Sequence, residues 1–399
     1  MKREKMVRAK SAKNDEFYTQ YIDIQKEINA YLEYDPEVFK NKTVLLPCDD
    51  PEWSNFTKFF AQNFQKFGLK KLISTSYASD SKKIKSQQLS LFEINSLQYD
   101  ETKTKSRGKI FTLVNDINKS GEINIEDLEW VYLDGDGDFR SDEVKKIRDE
   151  VDIIITNPPF SLFKEFLSWI YESKKKFLII GNINCITYKE VFAKIKSNQA
   201  WLGNGMGRWI SGFIVPDGYE LYGTETKIDE NGKRIVATNN CLWLTNIEHG
   251  RRHQPLQLMS FKDNLKYSKH KDIKNIGYQN YENYDAIEVP YTDSIPSDCK
   301  EIMGVPITFL DKYNPEQFEI VALGIVGSCD FKNNRKMEIL DKNGNGTGKY
   351  TNNAKGTLYR IFDDRKDKMP AFKDCESSKL YSSIYARILI KFRRFNSGE

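Results

Sequence analysis

The chain is poor in metal ligands. It has three histidines, and its six cysteines (Cys48, Cys185, Cys241, Cys299, Cys329 and Cys375) include no Cys-x-x-Cys pair. No zinc site is readable from that spacing. Thiols scattered in this way suit a reducing cytoplasm. No apolar run approaches the roughly 18 residues of a membrane helix, and no signal peptide opens the chain, so neither membrane insertion nor export is expected. Two acidic stretches fall short of calcium loops. Asp134–Lys145 has Phe139 and Lys145 where glycine and glutamate belong, and Asp116–Asp127 lies among strand-like flanks, not paired helices.

Net charge is also small, at +4, but it is unevenly spread. Lys2, Arg3, Lys5, Arg8, Lys10 and Lys13 face a single Glu4 in the first thirteen residues. A second basic stretch holds Arg251, Arg252, Lys262, Lys266, Lys269 and Lys271, and a third Arg387, Lys391, Arg393 and Arg394. Local basic faces on a near-neutral chain fit a polyanion partner; solvated lysine is the plainer reading of any one run.

Residues 152–163, Asp-Ile-Ile-Ile-Thr-Asn-Pro-Pro-Phe-Ser-Leu-Phe, are the most informative stretch. Ile153 to Thr156 reads as a buried parallel strand. Two prolines end it, and Pro158 holds Asn157 extended. Ser161 is then expected to cap a helix through Phe163, Phe166, Leu167 and Ile170. This puts an amide, two free carbonyls and an aromatic ring at the carboxyl end of a strand, where open α/β sheets bind ligands. The set suits methyl transfer to a planar exocyclic amine. Such a nitrogen is conjugated into its ring and is a poor nucleophile. The Asn157 side-chain oxygen and the Pro158 carbonyl could each accept one N–H and aim the lone pair, with Phe160 stacking on a base that has left its duplex.

The flanks read as follows. A helix is expected from about Ile22 to Tyr34, ended by Asp35-Pro36. Thr43 to Pro47 is a first strand. A Phe-rich helix then carries Phe56, Phe59, Phe60, Phe64 and Phe67 and closes at Gly68. Lys71 to Ser76 is a second strand, with Asp80 a poor candidate for the acidic residue that often follows it. The polar segment of about residues 80–128 reads as an insertion with a hairpin around Ile110–Val114. Trp130–Leu133 and Lys176–Ile183 are further strands, the latter leading to Asn184 and Tyr188. Trp201-Leu-Gly, Arg208–Pro216 and Cys241–Asn246 are expected to complete the sheet, with a turn at Asp229–Gly232. Beyond about residue 247 the texture changes. A hairpin tip at Asp341–Gly348 and a closing strand from Ala386 to Lys391 are the clearest later features.

The Asn-Pro-Pro-Phe run resembles the motif of the amino-group DNA methyltransferases. Most of these have a glycine-rich loop after the first strand, which is missing here. Cys48-Asp49-Asp50-Pro51 followed by Ser54-Asn55-Phe56 stands in its place, and this resembles the EcoRI-type adenine-specific DNA methyltransferases. Asp15-Glu-Phe-Tyr-Thr-Gln-Tyr21, Gly135-Asp-Gly-Asp-Phe-Arg-Ser141 and Gly212-Phe-Ile-Val-Pro216 also match that family; no chemistry is derivable for the last.

The resemblance implies an α/β, Rossmann-like S-adenosylmethionine-dependent methyltransferase sheet with a carboxyl-terminal mixed α/β target-recognition region. The corresponding divisions are a basic arm (1–13), a catalytic domain (14–246) and a recognition region (247–399). It implies catalytic Asn157, Pro158, Pro159 and Phe160, with Tyr18, Thr19, Cys48, Asp49, Asp50, Asp138, Phe139 and Asn157 facing S-adenosyl-L-methionine. Tyr18 and Thr19 would hold its methionine end, though an aromatic before a helix also serves as a staple. Asp49 or Asp50 would bond its amino or ribose groups, or cap the Phe-rich helix. The Asp138 carboxylate would take its adenine amino group while the Phe139 ring stacks; a glycine-rich acidic turn is the alternative. No metal is implied. The expected reaction is adenine N6 methylation in double-stranded DNA, by a monomer paired with a restriction endonuclease. The base sequence read is not legible, and the resemblance offers GAATTC as a first candidate. An adenine in RNA or a glutamine amide is the other acceptor the same turn would suit.

Overall fold

The structure is a computed structural model describing residues 17–51, 53–78, 96, 98–215, 226–229, 232–237, 240–332, 335–352 and 354–393. The basic arm, Asp80, much of the insertion, Pro216 and Arg394 lie outside the described residues. The chain packs as two units, Met1–Ile183 with Trp201–Gly250, and Asn184–Ala200 with Arg251–Glu399. Among the described residues no helix is long and apolar enough to cross a membrane.

In the first unit the elements are β1 (Tyr18–Thr19), α1 (Tyr21–Tyr34), β2 (Thr43–Leu46), α2 (Asn55–Gln62), α3 (Phe64–Phe67), β3 (Lys71–Ser76), α4 (Glu101–Ser106), β4 (Lys109–Leu113) and β5 (Glu129–Tyr132). There follow α5 (Asp142–Asp149), β6 (Ile153–Thr156), α6 (Phe163–Ser173), β7 (Lys176–Asn182), β8 (Trp201–Met206), β9 (Phe213–Val215), β10 (Thr226–Ile228), β11 (Arg234–Val236) and β12 (Cys241–Thr245). Eight strands form one sheet in the order β5-β4-β3-β2-β6-β7-β12-β8. Strands β3, β2, β6 and β7 run parallel, and the two flanks are antiparallel. Every residue of β2 and of β6 is buried, as unbroken apolar and β-branched runs require when both sheet faces are covered.

The order of connection locates the site. From β2 the chain crosses through α2 to β3 on one side, and from β6 it crosses through α6 to β7 on the other. The carboxyl ends of β2 and β6 therefore flank a topological switch point, the crevice where open sheets take ligands. Behind it the aromatic residues make the core: Phe39, Phe56, Phe59, Phe60, Phe64, Phe67, Phe111, Trp130 and Trp243 belong to one buried cluster. Phe59 and Phe60 meet edge to face at 5.5 Å, and Phe39 and Phe60 at 5.6 Å.

Three local expectations are corrected. The Phe-rich stripe is two helices, since Asn63 at φ −104°, ψ 11° breaks it before α3. Ile110–Val114 is more than an inserted hairpin: β4 pairs antiparallel with β5 and also with β3, so it belongs to the main sheet, and pairing Leu72 with Leu113 and Ser74 with Phe111 buries Phe111 and Leu113. Arg208–Pro216 does not complete that sheet. Its β9 joins a separate four-stranded sheet, β1-β9-β11-β10.

The second unit contains α7 (Lys189–Lys196), α8 (Phe261–Tyr267), α9 (Lys271–Ile276), β13 (Gln279–Asn280), β14 (Ile287–Glu288), β15 (Met303–Pro306), β16 (Phe318–Leu323), β17 (Lys336–Leu340), β18 (Gly346–Asn352), β19 (Leu358–Ile361), β20 (Phe372–Asp374), β21 (Leu380–Ile384) and β22 (Arg387–Phe392). Its two five-stranded sheets have the orders β13-β14-β15-β22-β16 and β18-β17-β20-β21-β19. The expected hairpin tip at Asp341–Gly348 joins β17 and β18, and the closing strand β22 is central, between β15 and β16.

Candidate active site

Strand β6 delivers Asn157 to the switch point. The Asn157 side-chain Nδ2 donates to the Phe17 carbonyl at 2.6 Å. That bond fixes which way the amide faces, leaving Oδ1 as its acceptor end. Oδ1 is shielded from solvent and has no hydrogen-bond partner among the described residues. A buried acceptor without a donor costs roughly 1–3 kcal/mol, so an orphan at a strand end points to a missing ligand group.

The turn that follows departs from expectation in two details. Phe160–Leu162 is a short 3-10 turn and α6 begins at Phe163, with Leu162 as its cap and no side-chain cap bond, so Ser161 caps nothing. The Pro159 carbonyl accepts from the Leu162 N–H at 3.0 Å, so of the two proline carbonyls only that of Pro158 accepts no bond among the described residues. Phe160 is half-buried, 5.8 Å from Phe17 and 6.0 Å from Phe213; Phe17 and Phe213 are 6.1 Å apart. These rings form a triangle beside Asn157. Phe213 comes from the Gly212–Pro216 match that had no chemistry. Strand β9 pairs with β1, setting Thr19 opposite Phe213 and Tyr18 opposite Ile214, and so holds the segment whose Phe17 carbonyl orients Asn157.

Of the residues expected at the cofactor, Tyr18 stacks on Trp53 at 6.2 Å. Thr19 is buried, its carbonyl accepts from Asn55 Nδ2, and its hydroxyl has no partner among the described residues. Cys48 has φ +65°, the left-handed conformation that favours glycine, and its N–H donates to Thr75 Oγ1 at 3.3 Å. The loop thus makes a glycine-like turn without a glycine. Asp49 is only 6 % exposed. Its carboxyl group lies 2.6 Å from Ser54 Oγ and 2.6 Å from Thr156 Oγ1, and burial pushes it up to about 7. With one oxygen on Ser54 and the other on Thr156, Asp49 ties α2 to β6. Asp50 is half-buried, and its carbonyl accepts from the N–H groups of Trp53 and Ser54.

Asp138 accepts from Tyr77 Oη at 2.8 Å and from Arg140 Nε at 2.9 Å. Burial alone would raise its carboxyl; the bonds from Arg140 and Tyr77 outweigh burial and hold it at about 2. It is therefore an ionised acceptor across the physiological range. The Phe139 ring is buried. At 1 % exposure it packs edge to face on Phe166 and Trp169 of α6, 5.0 and 5.9 Å away, and so anchors the loop to that helix. Gly137, at φ +86°, lets the loop press against β3: a Cβ there would meet the Ser76 carbonyl. Gly137→Ala should lower stability by roughly 2–4 kcal/mol, from left-handed strain plus that contact. Urea unfolding checks it, and an unchanged midpoint would contradict the close approach.

Tyr77, Arg140, Thr156 and Phe17 were not singled out in the sequence. Phe17 and Arg140 lie inside matched motifs, but nothing in their spacing marked a backbone carbonyl or a carboxylate partner. Asn184 and Tyr188 belong to the second unit, where Asn184 is exposed and Tyr188 precedes α7 without a side-chain cap bond. Asp127 uses its carboxylate on the N–H groups of Ile117, Asn118 and Asn124.

Comparison with known proteins supplies the remaining evidence. The family described as "Adenine-specific methyltransferase EcoRI" matches residues 5–393. Type II methyltransferase M.EcoRI of Escherichia coli is 46 % identical over 345 residues, covering 84 % of this chain and 95 % of the relative. Type II methyltransferase M.MgeORF184P of Mycoplasma genitalium is 35 % identical, covering 79 % and 84 %. Type II methyltransferase M.MpnI of Mycoplasma pneumoniae is 31 % identical, again covering 79 % and 84 %. No solved structure matches.

Proposed function

The chain belongs to the EcoRI family of adenine-specific methyltransferases, and from that premise we propose that it methylates adenine N6 at a short site in double-stranded DNA, using S-adenosyl-L-methionine. The observation that carries this reading is the Asn157 amide, oriented by the Phe17 carbonyl so that a buried, partnerless Oδ1 waits for a donor. The exocyclic amine of a flipped adenine has two N–H groups, and Asn157 Oδ1 and the Pro158 carbonyl would accept one each. These acceptors draw the nitrogen toward tetrahedral geometry and direct its lone pair. Phe160, braced by Phe17 and Phe213, would hold the base plane. The enzyme contributes alignment and fixed dipoles and forms no covalent intermediate. No strong base is needed before attack, since the product ammonium loses its proton readily to water.

The residues at the switch point fit the cofactor. Asp138, kept ionised, suits its adenine amino group. The orphan Thr19 hydroxyl, Tyr18 and the left-handed turn at Cys48-Asp49-Asp50 suit its methionine and ribose ends, with Asp50 supplying the side chain and Asp49 the support. When bound, S-adenosylmethionine would supply an electrophilic sulfonium methyl. On this reading the first unit is a Rossmann-like catalytic domain, the second recognises the target, and the protein is a cytoplasmic monomer that protects DNA from a companion restriction endonuclease.

The test is transfer of labelled methyl from S-adenosylmethionine to mixed-sequence bacterial DNA, followed by mapping of the label. N6-methyladenine at one short palindrome is the expected result. Absence of label on DNA by protein that binds the cofactor would overturn the reading and move the acceptor to RNA or a glutamine amide.

A further inference from the structure

The second unit carries a short helical hairpin, α8 and α9 joined by Ser268-Lys269-His270. Three buried residues, Asn264, Ser268 and Ile273, root it in the unit. Asn264 Nδ2 donates to the Met259 and Ser260 carbonyls, and the Phe261 N–H donates to Asp298 Oδ1 at 2.7 Å, which ties the start of the hairpin to a distant segment of the same unit. Its outer surface is another matter. Of the seven residues in α8 all but Asn264 are exposed, Tyr267 to 60 %.

The charges on that surface are not balanced. The hairpin's acidic groups have partners within the protein: Asp263 accepts from Ser260 Oγ, and Asp272 lies 3.8 Å from Lys366. Asp293, from a neighbouring segment, holds Lys269 and His270. Lys262, Lys266, Lys271 and Lys274 are exposed and make no ion pair among the described residues. Lys262 and Lys266 are four apart on one helix, and Lys271 and Lys274 three apart on the next, so each pair shares a helix face. Like charges at these spacings repel, and none of the four ammonium groups is neutralised by an ion pair among the described residues. Lys266 also lies 4.8 Å over the Tyr267 ring, which keeps an aromatic group among the ammonium groups. A rooted element with two lysine pairs that make no ion pair is complementary to a polyanion.

We propose that the helical hairpin Phe261–Ile276 docks the enzyme on the phosphate backbone of duplex DNA, its four lysines neutralising phosphates. This rests on the DNA reading above and gives it a surface. Lysine–phosphate contacts position the protein without reading sequence. They release counterions, so affinity falls with salt by a slope of roughly 0.9 per phosphate neutralised.

The test is the full-length variant K262Q/K266Q/K271Q/K274Q, titrated with a duplex containing the methylated site and one lacking it, at several salt concentrations. The expected result is a salt slope shallower by roughly 2–4 and an affinity reduced by the same factor, at least about tenfold at low salt, for both duplexes. Cofactor affinity should match the parent and the melting temperature should be no lower, because the changed side chains are exposed and their mutual repulsion is removed. An unchanged slope overturns the proposal. So does a loss confined to the site-containing duplex, which would make the hairpin a base reader. Failure of the parent protein itself to bind duplex DNA would instead overturn the DNA reading.

Discussion

Replacing Asn157 with alanine is expected to lower the single-turnover rate of methyl transfer by about 10³-fold while cofactor affinity stays within about tenfold. The magnitude follows from what the side chain does. Deleting it removes one of two acceptors aimed at a nitrogen that must pyramidalise, and removal of one preorganised polar contact of this kind costs about 10²–10³. It also frees the Phe17 carbonyl, so the segment that packs beside Phe160 loses its tie to the catalytic strand. Asn157→Asp separates these effects. The aspartate keeps an acceptor but loses the N–H that faces Phe17, and two oxygens then confront each other across that contact. Its rate should therefore fall close to that of the alanine variant. Single-turnover methylation with saturating cofactor measures both. A near-normal rate in Asn157→Ala would remove Asn157 from the chemistry, and a near-normal rate in Asn157→Asp would show that its bond to Phe17 is dispensable.

Asp49→Ala is expected to destabilise the protein by roughly 3 kcal/mol, and Asp49→Asn by much less. Thr156 Oγ1 lies 2.6 Å from the Asp49 carboxyl and 2.8 Å from the Pro47 carbonyl, yet it has one proton. The carbonyl can only accept. Both contacts are satisfied when Asp49 is a neutral acid donating to Thr156, and Thr156 donates onward to Pro47. Ser54 Oγ donates to the other Asp49 oxygen and accepts from the Phe56 and Thr57 N–H groups as the α2 cap. Asparagine can reproduce this pattern, with Nδ2 donating to Thr156 and Oδ1 accepting from Ser54. Alanine leaves both hydroxyls without their partner in a buried space.

The same proton gives stability a direction with pH. Burial raises the folded-state pKa of Asp49 from 3.8 to about 7, and the Asp50 charge beside it acts the same way. Between these values the folded chain holds a proton that the unfolded chain has released. This contribution is fully present below about pH 4 and is lost as pH rises through about 7, amounting to a few kcal/mol. Urea unfolding of the parent and of Asp49→Asn from pH 5 to pH 8 measures it. The parent should lose stability across that window relative to the variant; parallel curves would show that Asp49 folds as an ordinary carboxylate.

Sequence alone determined that Ile153–Thr156 is a buried strand ending in an Asn-Pro-Pro-Phe turn, that β2, β3 and β7 are strands, and which family the motifs resemble. Those features are local: apolar runs, prolines and a periodic Phe stripe act through near neighbours, so they can be read from spacing. Tertiary structure decided what each polar group does. Asp49 and Asp50 are adjacent aspartates, but only Asp49 points at Thr156, 107 positions away. Phe139 is buried against Phe166 and Trp169 once α6 is in place. The Phe17 carbonyl that orients Asn157, 140 positions distant, could not have been inferred, because every residue has a carbonyl and only the paired β1 and β9 put this one within reach. Backbone acceptors and buried carboxyls take their roles from through-space partners, and the strand order that brings those partners together is a property of the folded sheet.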